Sequence, residues 1–381
     1  VRLAVYIDDT FKRDAEGVTG ERSFVRFMTS LRPLVERLVV LGRLDPEPGR
    51  SHYPLGAGVE FQGLPFYRSL ARPAEVARSF AGSVRGFWRV LDAVDTVWVL
   101  GPYVHALAFA LIALARRRRV VLGVRQDFPR YIRSRRPEAR WMHLAADVLE
   151  SAFRGLARRL PVAVVGPDLA ERYGHAPRLL ELTVSLVPAA EVVEESDALA
   201  RTEEPVRRLL SVGRLDREKN PLLLLETMAA LRERAEGWSL VVVGEGPMRA
   251  EMERRVRELD LGDVVELRGY VPIDGELPSL YRSCQGFLHV SWTEGLPQVL
   301  FEAFAAGLPV VATDVGGVAR AAGEAAVLIP PGDAPAAVAA LERVAGDAEL
   351  RRRLVRAGLQ RARERTLEAE TGRLVAFMEE G

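Results

Sequence analysis

The chain is nearly without cysteine and nearly without lysine. Its single cysteine, Cys284, cannot close an internal disulfide, and no Cys/His cluster with zinc-ligand spacing accompanies it, which suits a reducing compartment. Long hydrophobic runs are also missing: the longest purely apolar stretch, 106–115, is far below the roughly 18 residues a membrane span takes. The chain opens on strand-like VRLAVYI rather than a leader, so the expectation is a cytoplasmic protein. Neither charge sign dominates, with 53 basic against 52 acidic residues, and 48% of the chain is hydrophobic. That balance excludes disorder as the main state. There is no P-loop, no Gly-x-Ser-x-Gly and no His-Glu-x-x-His.

The 381 residues predict about two domains, each large enough to bury a core. Only Lys12 and Lys219 break an otherwise all-arginine use of basic residues, so a lysine here is worth individual attention. The first 200 positions carry 29 basic and 23 acidic residues and the rest carry 24 and 29, giving net charges of +6 and −5. The halves differ in kind.

Short Val/Ile/Leu runs at 3–7, 38–41, 96–100, 120–124, 162–165 and 184–187 read as buried parallel strands. Helix-length stretches at 21–36, 74–91, 103–116 and 139–158 fall between several of them. After an acidic, alanine-rich stretch at 188–205, which reads as the linker, a second rhythm begins. Its strands are expected at 209–212, 240–243, 264–267, 286–290, 310–312 and 326–329. Its helices are expected at 221–235, 247–259, 297–306, 335–345 and 348–365, four of them opening beside a proline. The alternation implies two α/β domains with parallel, doubly wound sheets, at 1–195 and 196–365. An amphipathic segment at 366–381 is expected to pack back on the first domain. Ligands of such sheets bind outside the carboxyl ends of the strands.

The stretch SWTEGLPQVLFEAFAAGLPVVATDVGG at 291–317 is the most informative. Glu294 follows a strand, Gly295 frees the backbone, Pro297 starts a helix and Glu302 sits inside it. A helix N-terminus offers unpaired N–H groups and partial positive charge, so the amides of Leu296, Pro297's neighbours Gln298 and Val299, and Gly295 suit a diphosphate. Carboxylates accept hydrogen bonds in a fork, which suits the hydroxyls of a sugar and a ribose on either side. Upstream, SVGRLDREKNP places Arg214 just past a strand and Lys219 five residues later. Two cations there would stabilise a leaving diphosphate where its charge develops.

GRLDREKN, VVVGEGP at 241–247 and EGLPQVLFE running into AAGLPVVATDVGG, in this order and spacing, resemble the retaining, nucleotide-sugar-dependent glycosyltransferases of family 4. The resemblance covers residues 207–365 closely. It implies the GT-B fold, two Rossmann-like domains facing across a cleft. It also implies transfer of a hexosyl group from a nucleoside-diphosphate sugar with retention of anomeric configuration, without a metal or other cofactor. By the same resemblance Arg214, Lys219 and Glu294 are the catalytic set, Glu302 holds the ribose, and the base lies near Gly269, Tyr270 and Val271. Gly316 and Gly317 would form a turn near the phosphate helix. No Asp-x-Asp pair, the metal site of the other major glycosyltransferase fold, occurs. VVVGEGPMR lacks the third glycine of a dinucleotide fingerprint, Arg249 standing in its place.

The first domain matches the family less well. Gly17 and Gly20 in EGVTG stand where the family has a glycine-rich loop approaching the donor phosphates, so Gly20 is the candidate there. The strand VVLGV is followed by Arg125, Gln126 and Asp127, not by the family's histidine. Gln126 and Asp127 are the acceptor-side candidates, with His105, which reads first as a packed residue. The missing histidine keeps open a catalytically silent sugar-nucleotide-binding subunit, and a sugar-nucleotide epimerase on the same fold is a related alternative. Residues 116–159 contain 13 arginines against four acids, with aromatics interleaved. They suggest peripheral contact with an anionic membrane at its inner face; nucleic acid is not an expected partner.

Overall fold

The structure is a computed structural model that describes residues 1–69, 71–273 and 275–380. The chain divides into two compact units, Val1–Val184 with Leu367–Gly381, and Ser185–Thr366. Among the described residues no helix is long and apolar enough to cross a membrane.

In unit 1 the described residues form the strands β1 (Arg2–Asp14), β2 (Gly17–Gly20), β3 (Arg37–Leu44), β4 (Tyr53–Pro54), β5 (Val59–Leu64), β6 (Thr96–Gly101), β7 (Arg119–Val124), β8 (Val162–Val165) and β9 (Leu179–Leu182). The parallel part runs β5-β3-β1-β6-β7-β8-β9, and β2 and β4 add an antiparallel flap to the outer end of β1. Chain order steps from β1 outward to β5, then returns to the other side of β1 with β6. The switch point of this sheet therefore lies between β1 and β6. Helices α1 (Phe24–Thr29), α2 (Pro73–Val90), α3 (Val104–Ala115), α4 (Phe128–Arg135), α5 (Arg140–Ala157) and α6 (Pro167–Arg172) complete the crossovers. Phe109 of α3 stacks on Phe87 of α2 at 4.2 Å and meets Tyr6 of β1 edge-on at 4.8 Å.

Unit 2 holds α7 (Glu195–Ala200), then β10 (Arg208–Val212), α8 (Leu222–Arg234), β11 (Ser239–Val243), α9 (Arg249–Glu258), β12 (Val265–Gly269), α10 (Leu277–Ser283) and β13 (Gly286–His289). It continues with α11 (Gln298–Ala305), β14 (Val310–Thr313), α12 (Val318–Ala322), β15 (Ala326–Ile329), α13 (Ala334–Gly346) and α14 (Ala348–Glu364). All six strands are parallel in the order β12-β11-β10-β13-β14-β15. Both faces are buried, because successive residues alternate between two cores: Leu209, Leu240, Val242 and Leu288 enter one, and Leu210, Val241, Val243 and Phe287 the other. That explains why these strands read as continuous apolar runs. The switch point falls between β10 and β13. The last helix, α15 (Leu367–Glu379), belongs to unit 1, where the buried Glu370 accepts the Thr183 N–H at 2.7 Å and Arg373 at 2.7 Å.

Several expectations are corrected. The run 184–187 is not a strand; Leu179–Leu182 takes the edge place beside β8, and the run carries the chain from one unit to the next. The boundary lies at Val184/Ser185, ahead of the 195/196 expected. The stretch 188–205 is not a linker but folded structure: Ala198 of α7 packs on Val355 and Leu359, and Arg351 donates to the Thr202 carbonyl at 2.8 Å. A helix over 21–36 shrinks to α1 and a single 3₁₀ turn at Arg32–Leu34, since Pro33 has no N–H to carry an α-helical hydrogen bond on through this stretch.

Candidate functional site

Because the strands of unit 2 are all parallel, every motif of the C-terminal half emerges at one edge of one sheet. Arg214 follows β10, Gly244 to Pro247 follow β11, Gly269 to Val271 close β12, the Glu294 loop follows β13 and Gly316 follows β14. Backbone hydrogen bonds lace these loops together. Leu215 N–H donates to Glu245 at 2.9 Å, Met248 N–H to Leu215 at 2.9 Å, and Gly244 N–H to Gly269 at 2.8 Å. The lacing is so close that it leaves no room for a side chain at several of its glycines. A Cβ on Gly244 would stand 1.9 Å from the Gly213 carbonyl oxygen, and one on Gly316 1.9 Å from that of Glu294; both glycines also have positive φ.

Lys219 ends a 3₁₀ turn, Arg217–Lys219, just ahead of α8. Across the switch point, Trp292 N–H and the Ser291 hydroxyl both donate to the Glu218 carbonyl, at 2.8 and 2.9 Å. This clamps the two loops and brings Lys219 Nζ to 2.6 Å from Glu294 Oε1. His289, the last residue of β13, puts Nε2 3.2 Å from the same oxygen. Burial pushes the Glu294 carboxyl up, but the His289 ring and the Lys219 ammonium outweigh it and hold it down to about 2. Glu294 is thus ionised throughout the neutral range. Arg214 is 52% exposed and pairs with Asp216 and Glu218, so its guanidinium is oriented at the surface of this edge.

The N-terminus of α11 follows directly. Pro297 is its N-cap and no side chain caps it, so Gly295, Leu296, Gln298 and Val299 present backbone beside Glu294. One turn in, Glu302 accepts a hydrogen bond from the buried Tyr281 of α10 at 2.8 Å. Burial and the Glu302 charge raise the Tyr281 hydroxyl well above its ordinary pKa, so it stays a donor. Glu302 and Tyr281 line a small pocket with Ile273, Leu277 and Ala305. Tyr270 is exposed and Val271 buried at the mouth of β12. The structure thus gathers Arg214, Lys219, Glu294, Gly295, Leu296, Pro297, Gln298, Val299, Glu302, Gly269, Tyr270 and Val271 on one edge of one sheet. His289 is absent from the sequence-derived set; the signal for it is a lone histidine at the carboxyl end of a strand, five residues before Glu294.

Unit 1 treats its candidates differently. Gly20 sits in β2, paired with Phe11, and a Cβ there would meet Val25 at 2.5 Å. EGVTG is therefore a hairpin strand and not a free loop. His105 is buried, stacked on Tyr67 at 5.5 Å and beside Phe80 and Phe109, with no hydrogen-bond partner for either ring nitrogen among the described residues. Burial lowers its pKa. Asp127 caps α4, accepting the Arg130 N–H at 3.1 Å and the Arg172 guanidinium at 2.6 Å; Gln126 is half-buried beside it.

The polar cluster at unit 1's own switch point is one the spacing never singled out. Asp8 accepts from Tyr67 and faces Arg43 at 3.0 Å. Asp9 faces Arg22 at 3.1 Å and Arg125 at 3.8 Å, and its Oδ2 is buried without a hydrogen bond among the described residues. Arg125 lies over the Phe24 ring at 4.0 Å. Burial, with the Asp8 charge, pushes the nearby Tyr103 hydroxyl up to about 12. Among the described residues no group of three or more His, Cys, Asp or Glu side chains is gathered as for a metal ion.

Residues 194–361, all within unit 2, match the family described as Glycosyl transferases group 1. The chain is 33% identical over 217 residues to D-inositol 3-phosphate glycosyltransferase of Salinispora tropica. That match covers 51% of this chain and 45% of that protein, so the chain spans about half the length of this curated relative. Among solved structures, sucrose-phosphate synthase from Thermosynechococcus elongatus superposes with a TM-score of 0.73 at 18% identity, covering 100% of this chain and 98% of that one. Anabaena Alr3699/HepE in complex with UDP-glucose does so with a TM-score of 0.69 at 15% identity, covering 100% of both. At those identities the likeness shows the fold, which is GT-B with two Rossmann-like units. Unit 2 is the part of the chain that is similar to the group 1 glycosyl transferases.

Proposed function

We propose that the chain is a glycosyltransferase that moves a hexosyl group from a nucleoside-diphosphate sugar to an acceptor, with retention of anomeric configuration. The observation that carries this reading is the Lys219–Glu294 ion pair at the switch point of unit 2, directly before the uncapped N-terminus of α11. In this reading the diphosphate lies against Lys219, Arg214 and the α11 amides, where positive charge is already oriented. Glu302, held by Tyr281, takes the ribose hydroxyls. Glu294, ionised and buried, takes a hydroxyl of the transferred sugar, and the base lies beside Gly269, Tyr270 and Val271. UDP-glucose in the structurally similar Anabaena protein supports the donor class.

The glycosidic C–O bond to the diphosphate breaks as the acceptor hydroxyl attacks the same face. The departing phosphate oxygen takes the acceptor proton, and Arg214 and Lys219 carry the charge left on the diphosphate. No nucleophile from the chain is needed. The acceptor is assigned to unit 1, where the Asp9 carboxylate with Arg22 and Arg125 offers hydrogen-bonding capacity to a polar molecule. Incubation with a nucleotide sugar tests the proposal: slow release of nucleoside diphosphate without acceptor supports transfer, and NMR of a transfer product must show the donor's anomeric configuration. Isomerised nucleotide sugar without release would replace the proposal by an epimerase.

A further inference from the structure

Helix α5 is apolar on two opposite sides. One side, with Ala146, Phe153 and Ala157, is buried in unit 1, where Glu150 accepts the Tyr173 hydroxyl. On the other side Trp141, Leu144 and Val148 are 53%, 67% and 59% exposed, and Ala152 is exposed one turn further. Their spacing places them in one stripe along the helix. Single exposed apolar side chains are ordinary, whereas a contiguous stripe of large ones marks a surface that meets something.

Cations edge the stripe. Helix α4 lies alongside, with Arg133 bonded to Asp147 at 2.6 Å and the Arg136 carbonyl 2.9 Å from His143 Nε2. Those two contacts set the arginine-rich end of α4 against the flank of α5 at His143 and Asp147, and Asp147 neighbours Leu144 of the stripe one turn away. Arg130, Arg133, Arg135, Arg136 and Arg140 are exposed, and the acids in the same stretch are the exposed Glu138 and the half-buried Asp147. Among the described residues Arg130, Arg136 and Arg140 make no ion pair.

We propose that this face of α4 and α5 docks on an anionic lipid bilayer, the stripe entering the boundary between headgroups and acyl chains while the arginines meet lipid phosphates. Charge selects the occupant: a second copy would bring the same arginines against these, like against like, whereas an anionic lipid surface complements them. The inference stands apart from the transfer reaction and survives its failure.

The test is co-sedimentation of the full chain with vesicles of phosphatidylcholine alone and of phosphatidylcholine mixed equally with phosphatidylglycerol, at low and moderate salt. Binding is expected to the mixed vesicles only, weakening as salt rises. Trp141→Ser with Leu144→Ser should lower the bound fraction roughly tenfold or more, and Arg136→Glu with Arg140→Glu should abolish it. All four residues are exposed, and thermal melts confirm that each variant folds. Absence of binding at low salt, or binding unchanged in both variants, overturns the proposal. So does a concentration-dependent dimer that the Trp141/Leu144 variant abolishes, which assigns the stripe to a second copy.

Discussion

Lys219 stands out twice, as one of two lysines in the sequence and as the cation at 2.6 Å from Glu294. Its replacement by alanine, and that of Arg214, should each lower turnover by roughly 10² to 10³, about 2.7 to 4 kcal/mol, the effect of removing one preorganised charge-stabilising donor. Melting temperatures should change little for Arg214→Ala, whose side chain is exposed. Glu294 gives a pH prediction. Its carboxyl is held down to about 2, against an ordinary value of about 4.3. The stability it contributes is therefore complete above the ordinary value and is lost as pH falls through about 2. Urea melts between those limits should show a shallower acid limb in Glu294→Gln. His105 works from burial instead: its pKa is lowered, so the unfolded chain binds the proton first, and stability should fall as pH drops below about 6.5. His105→Phe should remove that slope. Lys219 can be singled out in the sequence because arginine serves at every other basic position except Lys12; the environment of His105 is not legible there, because Tyr67 and Phe80, its partners, are distant in the chain.

Among the elements, the strands of unit 2 are legible nearly to their ends, since two buried faces make each a continuous apolar run. What escapes is short, at an edge, or made by distant contacts. The β2/β4 flap has only a few residues per strand, β5 mixes Glu60 and Gln62 into its pattern, and α7 reads as linker until Ala198 meets α14. The link between α10 and α11 is likewise tertiary: Tyr281 fixes Glu302 from another helix. Tyr281→Phe and Glu302→Gln should therefore both weaken binding of a bare nucleoside diphosphate, while Glu294→Gln should penalise the sugar-bearing donor more than the bare diphosphate. Calorimetry with both ligands on the three variants checks this, and equal losses throughout would refute the division of roles. Gly316→Ala is expected to unfold or expel the Glu294 loop, since a methyl group has no room 1.9 Å from that carbonyl; a variant with unchanged melting would show that the loop is not held there.

For the whole molecule, two α/β units are legible in the sequence, and its motifs gather in the second, where strand ends and motifs recur together. Its blind spot is unit 1. The carboxylates Asp8 and Asp9 lie in β1 with no motif around them, and only the fold brings Arg22, Arg43 and Arg125 to them. The central claim is that the carboxyl edge of the unit 2 sheet binds a nucleoside-diphosphate sugar through Lys219 and Glu294. Titration calorimetry of the intact chain against UDP-, GDP- and ADP-sugars tests it most directly. The account predicts saturable binding of at least one of them, weakened in Lys219→Ala and in Glu294→Gln; binding of none, or undiminished binding in both folded variants, would contradict it.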